Sequence, residues 1–196
     1  HARRSWIGSS TDFGRHGAIL VGDFLFSAAT AAADRQALRL GDERAEAFTR
    51  RFADMHAEVA LGQYLDIAAE QAPLDPQRAD ALRTSDSLEV ALHKSAHYSV
   101  VHPAILGAIC GADSVEAGAA LADTLEEVLT PWGLAFQLRD DDLGVFGDPQ
   151  VTGKPAGDDL REGKRTVLLA LTWAASSPAE REALTQVLGV AAASPE

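Results

Sequence analysis

Alternation of Val, Ile, Thr and Tyr with polar positions, the mark of a half-buried strand, is scarce along this chain, and Ala, Leu, Glu and Arg dominate nearly every stretch. That pattern predicts helices over roughly residues 12–38, 42–71, 75–84, 87–97, 102–111, 114–145, 159–176 and 178–188. The breaks fall at Gly41-Asp42, Ala72-Pro73, His102-Pro103, Gly111-Ala112-Asp113, Gly147-Asp148-Pro149 and Ser177-Pro178. Residues 17–22 (Gly-Ala-Ile-Leu-Val-Gly) are apolar almost all round, which predicts a central helix inside a bundle. Neither an internal repeat nor a linker divides the sequence, so residues 1–196 read as one all-α domain. The chain starts at His1, its only methionine is Met55, and it ends on a run of small residues, so it is expected to be incomplete at both ends.

Charge narrows the function. Seventeen basic and twenty-nine acidic residues give a net charge of −12, which argues against a nucleic-acid partner. An anionic small molecule stays open, because bound cations invert the local field. The single cysteine, Cys110, excludes an intrachain disulfide and fits a reducing, cytoplasmic setting. The most apolar stretch, residues 17–33, is interrupted by Asp23 and is too short to span a membrane.

The densest chemistry is Phe136-Gln137-Leu138-Arg139-Asp140-Asp141-Asp142-Leu143-Gly144. Three adjacent carboxylates repel one another and oppose the negative end of the helix dipole. Hard cations with oxygen ligands compensate such a cluster, and Asp140 and Asp141, about 100° apart on a helix, reach neighbouring ions. A solvated acidic helix end is the alternative. Lys154 and Lys164 follow, each beside a glycine, and suit a metal-bridged diphosphate. Asp159-Leu160-Arg161-Glu162 fits a capping box as well as a functional position.

Elsewhere the signals are weaker. Gln63 and Asp66 share a helix face, as do Lys94 and Tyr98. His93 and His97 form an i, i+4 pair, but spacing offers no third ligand, so no zinc site is expected. His16 is expected to line the core or a cavity, and Trp132 and Phe136 to pack in the core.

In content and order, residues 136–166 resemble the second aspartate-rich motif and following lysine loop of the polyprenyl synthetase family. The family pattern runs Phe-Gln, a DDxxD element, Gly-Asp, Gly-Lys, Gly-x-Asp-Leu and Gly-Lys-x-Thr. One position departs: the fifth residue of the aspartate element is Gly144. Phe13-Gly14-Arg15-His16-Gly17 through Asp23, Gly62-Gln63-Tyr64-Leu65-Asp66 and Lys94-Ser95-Ala96 resemble further family segments, the last with Ser in place of Thr. The resemblance covers residues 12–166.

It implies an isoprenoid-synthase-type helical bundle around a central cavity. The implied activity condenses isopentenyl diphosphate with an allylic diphosphate, of short-chain type such as geranylgeranyl or farnesyl diphosphate synthesis. It implies about three Mg2+ ions bridging to the substrate diphosphate, and a homodimer. Residue by residue, Asp140 and Asp141 would bind metal, and Lys94, Gln137, Lys154 and Lys164 would bind diphosphate. Lys94, Ser95, Gln137 and Asp140 would act in catalysis, Ser95 through its hydroxyl beside the allylic cation. Asp159, Gln63 and Asp66 would belong to the closing loop or lie behind these contacts. The family's first DDxxD motif is not among the 196 residues, and it is expected before His1. A non-catalytic subunit of a prenyl synthase and a class I terpene cyclase are the alternatives.

Overall fold

The computed structural model describes residues 8–153 and 155–189, and the described residues contain helices and no strand. In chain order they form α1 (Ser10–Ala37), α2 (Asp42–Gln71), a 3₁₀ turn (Ala79–Ala81), α3 (Thr84–Ala91), a π-helical segment (Leu92–Val101), α4 (His102–Gly111) and α5 (Val115–Phe146). Short helices α6 (Pro149–Thr152) and α7 (Asp158–Glu162) follow, then α8 (Val167–Ala175) and α9 (Pro178–Thr185). Local chemistry fixes several starts. Ser9, Ser114 and Thr166 each accept a hydrogen bond from the backbone N–H three residues on. Ser177 and Glu180 complete a capping box ahead of α9.

α3, the π-helical segment and α4 run on as one continuous rod through the expected break at His102-Pro103. The His102 N–H donates to the His97 carbonyl, a bond across five residues. Proline normally clashes with the carbonyl four residues earlier, and the wider π turn just before Pro103 gives it room. This rod is gripped from two sides. A Cβ on Gly62 of α2 would lie 2.4 Å from the Lys94 backbone nitrogen, and one on Gly133 of α5 would lie 2.8 Å from the Ala96 carbonyl oxygen. Ala96 between them has no solvent exposure.

One core cluster joins Ala37, Phe48, Val101, Ile105 and Ile109. A second gathers Leu82, Leu169, Ala170 and Trp173. The Trp173 indole N–H donates to the Arg78 carbonyl at 3.0 Å, and the Arg181 guanidinium donates to the Trp173 carbonyl at 2.8 Å. Residues 75–84 are mostly turn rather than helix. The helix expected over residues 159–176 is broken at Gly163, whose φ of 81° is left-handed.

Three expectations about the core are corrected. α1 is not a central helix: it packs mainly along α2, only Ala37 is buried, and Ile19, Leu20, Val21, Phe24, Leu25 and Phe26 are exposed. No side chain approaches the Cβ positions of Gly14, Gly17 or Gly22, so these small residues seat no neighbour here. At 28 residues, with a mean hydropathy of 1.3 in its most apolar window, α1 is long and apolar enough to cross a membrane by length and composition. The whole helix is therefore not too short to span, although residues 17–33 alone are. His16 is exposed, as are Trp132 and Phe136, which lie on the part of α5 turned away from its neighbours.

Packing at the grip gives a direct expectation. Gly133→Ala should destabilise the protein by about 1–3 kcal/mol, because backbone must shift to admit the methyl. Gly107→Ala in α4, where no atom lies within 4 Å of the new Cβ, should be neutral or stabilising by about 0.5–1 kcal/mol. Urea-denaturation midpoints of the two variants check both.

Candidate active site

The end of α5, the π-helical segment, α2 and the loop after α7 enclose a cleft of about 180 Å³. Its polar wall contains Asp66, Lys94, Ser95, Gln137, Asp140, Asp141, Asp159, Lys164, Arg165 and Thr166. These positions are far apart in sequence and arrive from separate elements. α5 carries Gln137, Asp140 and Asp141 in its final turns, where one helical turn aligns Gln137 with Asp141: the Gln137 amide donates to Asp141 Oδ1 at 2.7 Å. The π-helical segment supplies Lys94 and Ser95.

Two of the cations are held by carboxylates, Asp66 and Asp159 from the cleft itself and Glu162 beside it. The Lys94 ammonium is hydrogen-bonded to Asp66, and that of Lys164 bridges Asp159 at 2.5 Å and Glu162 at 2.9 Å. Among the described residues, no cation lies at ion-pair distance from Asp140 or Asp141. Burial, together with the nearby charges of Asp159 and Asp140, pushes the Asp141 carboxyl up to about 6, against the lowering contribution of the Gln137 hydrogen bond. Burial works to lower the Lys164 ammonium, but its bonds to Asp159 and Glu162 prevail and hold it above the ordinary lysine value. Burial lowers the Arg165 guanidinium, partly offset by the charge of Glu70.

Gly144, the departure from the aspartate element, has a steric account. A Cβ there would sit 2.0 Å from Asp159 Oδ2 and 2.6 Å from its carboxyl carbon. The Asp159 carboxylate lies where a side chain at position 144 would begin. It is buried and fixed by Lys164, and the Gly157 N–H donates to the Gly144 carbonyl at 3.1 Å. A carboxylate thus reaches this end of the cluster from α7. The capping box does not form: α7 starts on Gly157 in a left-handed conformation with no side-chain cap.

Of the residues singled out by sequence, the cleft gathers Lys94, Ser95, Gln137, Asp140, Asp141, Asp159, Lys164 and Asp66. Gln63 is exposed and lies off it. Lys154 lies outside the described residues. Arg165 and Thr166 line the cleft without having been singled out, although the Gly-Lys-x-Thr pattern contains both. Adjacent buried and exposed oxygen ligands, Asp141 and Asp140, with the Gln137 amide beside them, fit a hard divalent cation such as Mg2+.

The cleft of this all-helical bundle brings Asp140 and Asp141 of α5 together with Lys94, Lys164 and Arg165, a lining whose chemistry suits a cation and an anion side by side. The chain belongs to the polyprenyl synthetase family, whose profile matches residues 1–196. It is 35% identical over 158 residues to the geranylfarnesyl diphosphate synthase of Aeropyrum pernix, covering 80% of this chain and 46% of that protein. It is 34% identical over 173 residues to the short chain isoprenyl diphosphate synthase of Methanothermobacter thermautotrophicus, covering 88% of this chain and 48% of the relative. The crystal structure of geranylgeranyl pyrophosphate synthase from Corynebacterium glutamicum, complexed with isoprenyl diphosphate and magnesium, superposes with a TM-score of 0.75 at 36% identity. That match covers 97% of this chain and 50% of the other. The chain therefore spans about half the length of the curated relatives it matches.

The cost of the crowded carboxylates is measurable. The folded Asp141 carboxyl keeps its proton to about pH 6, whereas the unfolded one releases it near its ordinary value of about 3.9. Metal-free stability should therefore fall as pH rises from about 4 to about 6 and stay low above that range. Asp141→Asn should raise metal-free stability at neutral pH by on the order of 1–2 kcal/mol and abolish the stabilisation conferred by Mg2+. Urea unfolding with and without a chelator checks both signs.

Proposed function

We propose that the full-length protein is a short-chain prenyl diphosphate synthase that condenses isopentenyl diphosphate with an allylic diphosphate, of geranylgeranyl, farnesyl or similar type. The observation that carries this reading is the single cleft in which Gln137, Asp140 and Asp141 face Lys94, Lys164 and Arg165 across a space open at Asp140. Asp140 and Asp141 would hold Mg2+, joined by ligands from the family's first aspartate-rich motif, which this chain does not contain. When bound, the metal supplies charge stabilisation to a diphosphate leaving group. Lys94 and Lys164, with Lys154, would bind the same diphosphate and orient it. Both described lysines already face acceptors, and a diphosphate would compete with Asp66 and Asp159 for them.

Ionisation of the allylic carbon–oxygen bond moves negative charge onto the diphosphate, which the cationic wall is placed to stabilise. The alkene of isopentenyl diphosphate then attacks the allylic cation, and a proton is lost to the departing diphosphate. Ser95 offers a hydroxyl dipole and no charge beside that cation, and Val90 and Ala91 help keep this wall dry. A cytoplasmic homodimer completes the reading. The exposed apolar residues of α1 form a surface that a second copy would cover.

The test uses full-length protein with Mg2+, labelled isopentenyl diphosphate and allylic primers of increasing length, with products sized after dephosphorylation. Magnesium-dependent elongation is expected, with turnover lowered about 10²–10³-fold in Asp140→Ala. Absence of elongation with every primer, from folded protein that still binds diphosphate, would move the assignment to a non-catalytic subunit.

A further inference from the structure

Three histidines close around one carboxylate outside the cleft. Glu58 Oε1 lies 2.6 Å from His93 Nδ1 and 2.5 Å from His97 Nδ1, and Glu58 Oε2 lies 2.6 Å from His102 Nε2. None of these residues lines the cleft. The π-helical segment makes the cluster possible. His97 and His102 are five residues apart, positions that diverge on an α-helix and align on the wider π turn. Glu58 stands on α2, the helix brought against this segment at Gly62.

Hydrogen-bond chemistry leaves His93 unresolved. Its Nδ1 meets Glu58 and its Nε2 meets Glu89 at 3.2 Å, so both ring nitrogens face carboxylates, which only accept when ionised. A neutral imidazole has one N–H and satisfies one of these two contacts. An imidazolium satisfies both, and so does a metal ion at Nδ1, because the ring proton then resides on Nε2 and is donated to Glu89.

We propose that Glu58, His93 and His97 form a binding site for a borderline divalent transition-metal ion, Zn2+ foremost. Their ligand atoms all lie within 4.8 Å of one another. Ligands of tetrahedral Zn2+ stand about 3.3 Å apart, so the two Glu58–histidine contacts, now 2.6 and 2.5 Å, need open by less than about 1 Å, and the His93 and His97 nitrogens close from within 4.8 Å. Two imidazoles and a carboxylate are ligands of Zn2+ rather than of Mg2+. Supporting partners are in place: His102 Nε2–H holds the second oxygen of Glu58, and Glu89 holds the far nitrogen of His93. A bound ion would fasten α2 to the π-helical segment, the two elements that pair Asp66 with Lys94. The site does not depend on the prenyl-synthase reading.

The test titrates Co2+ into chelator-stripped full-length protein in excess Mg2+, which occupies the α5 carboxylates, and follows visible ligand-field absorption. One equivalent of Co2+ should bind, be displaced by Zn2+, and raise the melting temperature. Glu58→Gln and His97→Gln, each confirmed folded by circular dichroism, should weaken binding by about 100-fold or more. Asp140→Asn should leave it unchanged. The wild-type titration stands without any variant: no uptake of either ion in excess Mg2+ overturns the proposal. So does uptake that survives both Glu58→Gln and His97→Gln, or that is lost in Asp140→Asn.

Discussion

The close approach of three helices at Ala96 is the constraint on which the rest of the structure depends. Gly62 from α2 and Gly133 from α5 press backbone to backbone against the π-helical segment, leaving no space for a methyl on either side. Small residues at such a crossing exchange side-chain packing for short interhelical distance. That distance lets side chains of ordinary length meet across the bundle. Lys94 on the segment reaches Asp66 on α2, and both share a cleft with Gln137, Asp140 and Asp141 of α5. The π turn adds a second consequence, rotating His102 onto the face of His97 so that both meet Glu58.

Electrostatics divides the cleft into two unlike walls. The lysines come with carboxylate partners, Lys94 with Asp66 and Lys164 with Asp159, which hold them in place in the absence of an anion. Among the described residues, Asp140 and Asp141 have no such cation, and Asp141 bears the cost as a raised proton affinity. Gly144 belongs to the same economy of space: its missing side chain admits Asp159 of α7, and with it the pair that Asp159 makes with Lys164 of the following loop.

Much of this was legible in the chain. Helix propensity marks the all-α class, and the run from Gln137 to Lys164 carries the acidic and basic residues that line the cleft. What stayed hidden depends on tertiary geometry. Periodicity cannot register a π turn, so Pro103 read as a break and His102 did not join His93 and His97. Glu58 looked like any helical glutamate, because its partners lie 35 or more residues away. The apolar residues of α1 and the aromatics Trp132 and Phe136 follow a core pattern yet lie exposed, since hydrophobicity says that a face needs cover without saying by what. Arg165 reads as one more loop cation, and only the cleft shows it half-buried beside Lys164.

The central claim is that the α5 carboxylates and the cationic wall form one site completed by a metal-bridged diphosphate. Calorimetric titration of the full-length protein with inorganic diphosphate, with and without Mg2+, tests it most directly. The account predicts tight binding that requires Mg2+ and is lost in Asp140→Asn and in Lys164→Ala alike. Diphosphate binding that is equally strong without Mg2+, or indifferent to Asp140, would contradict it.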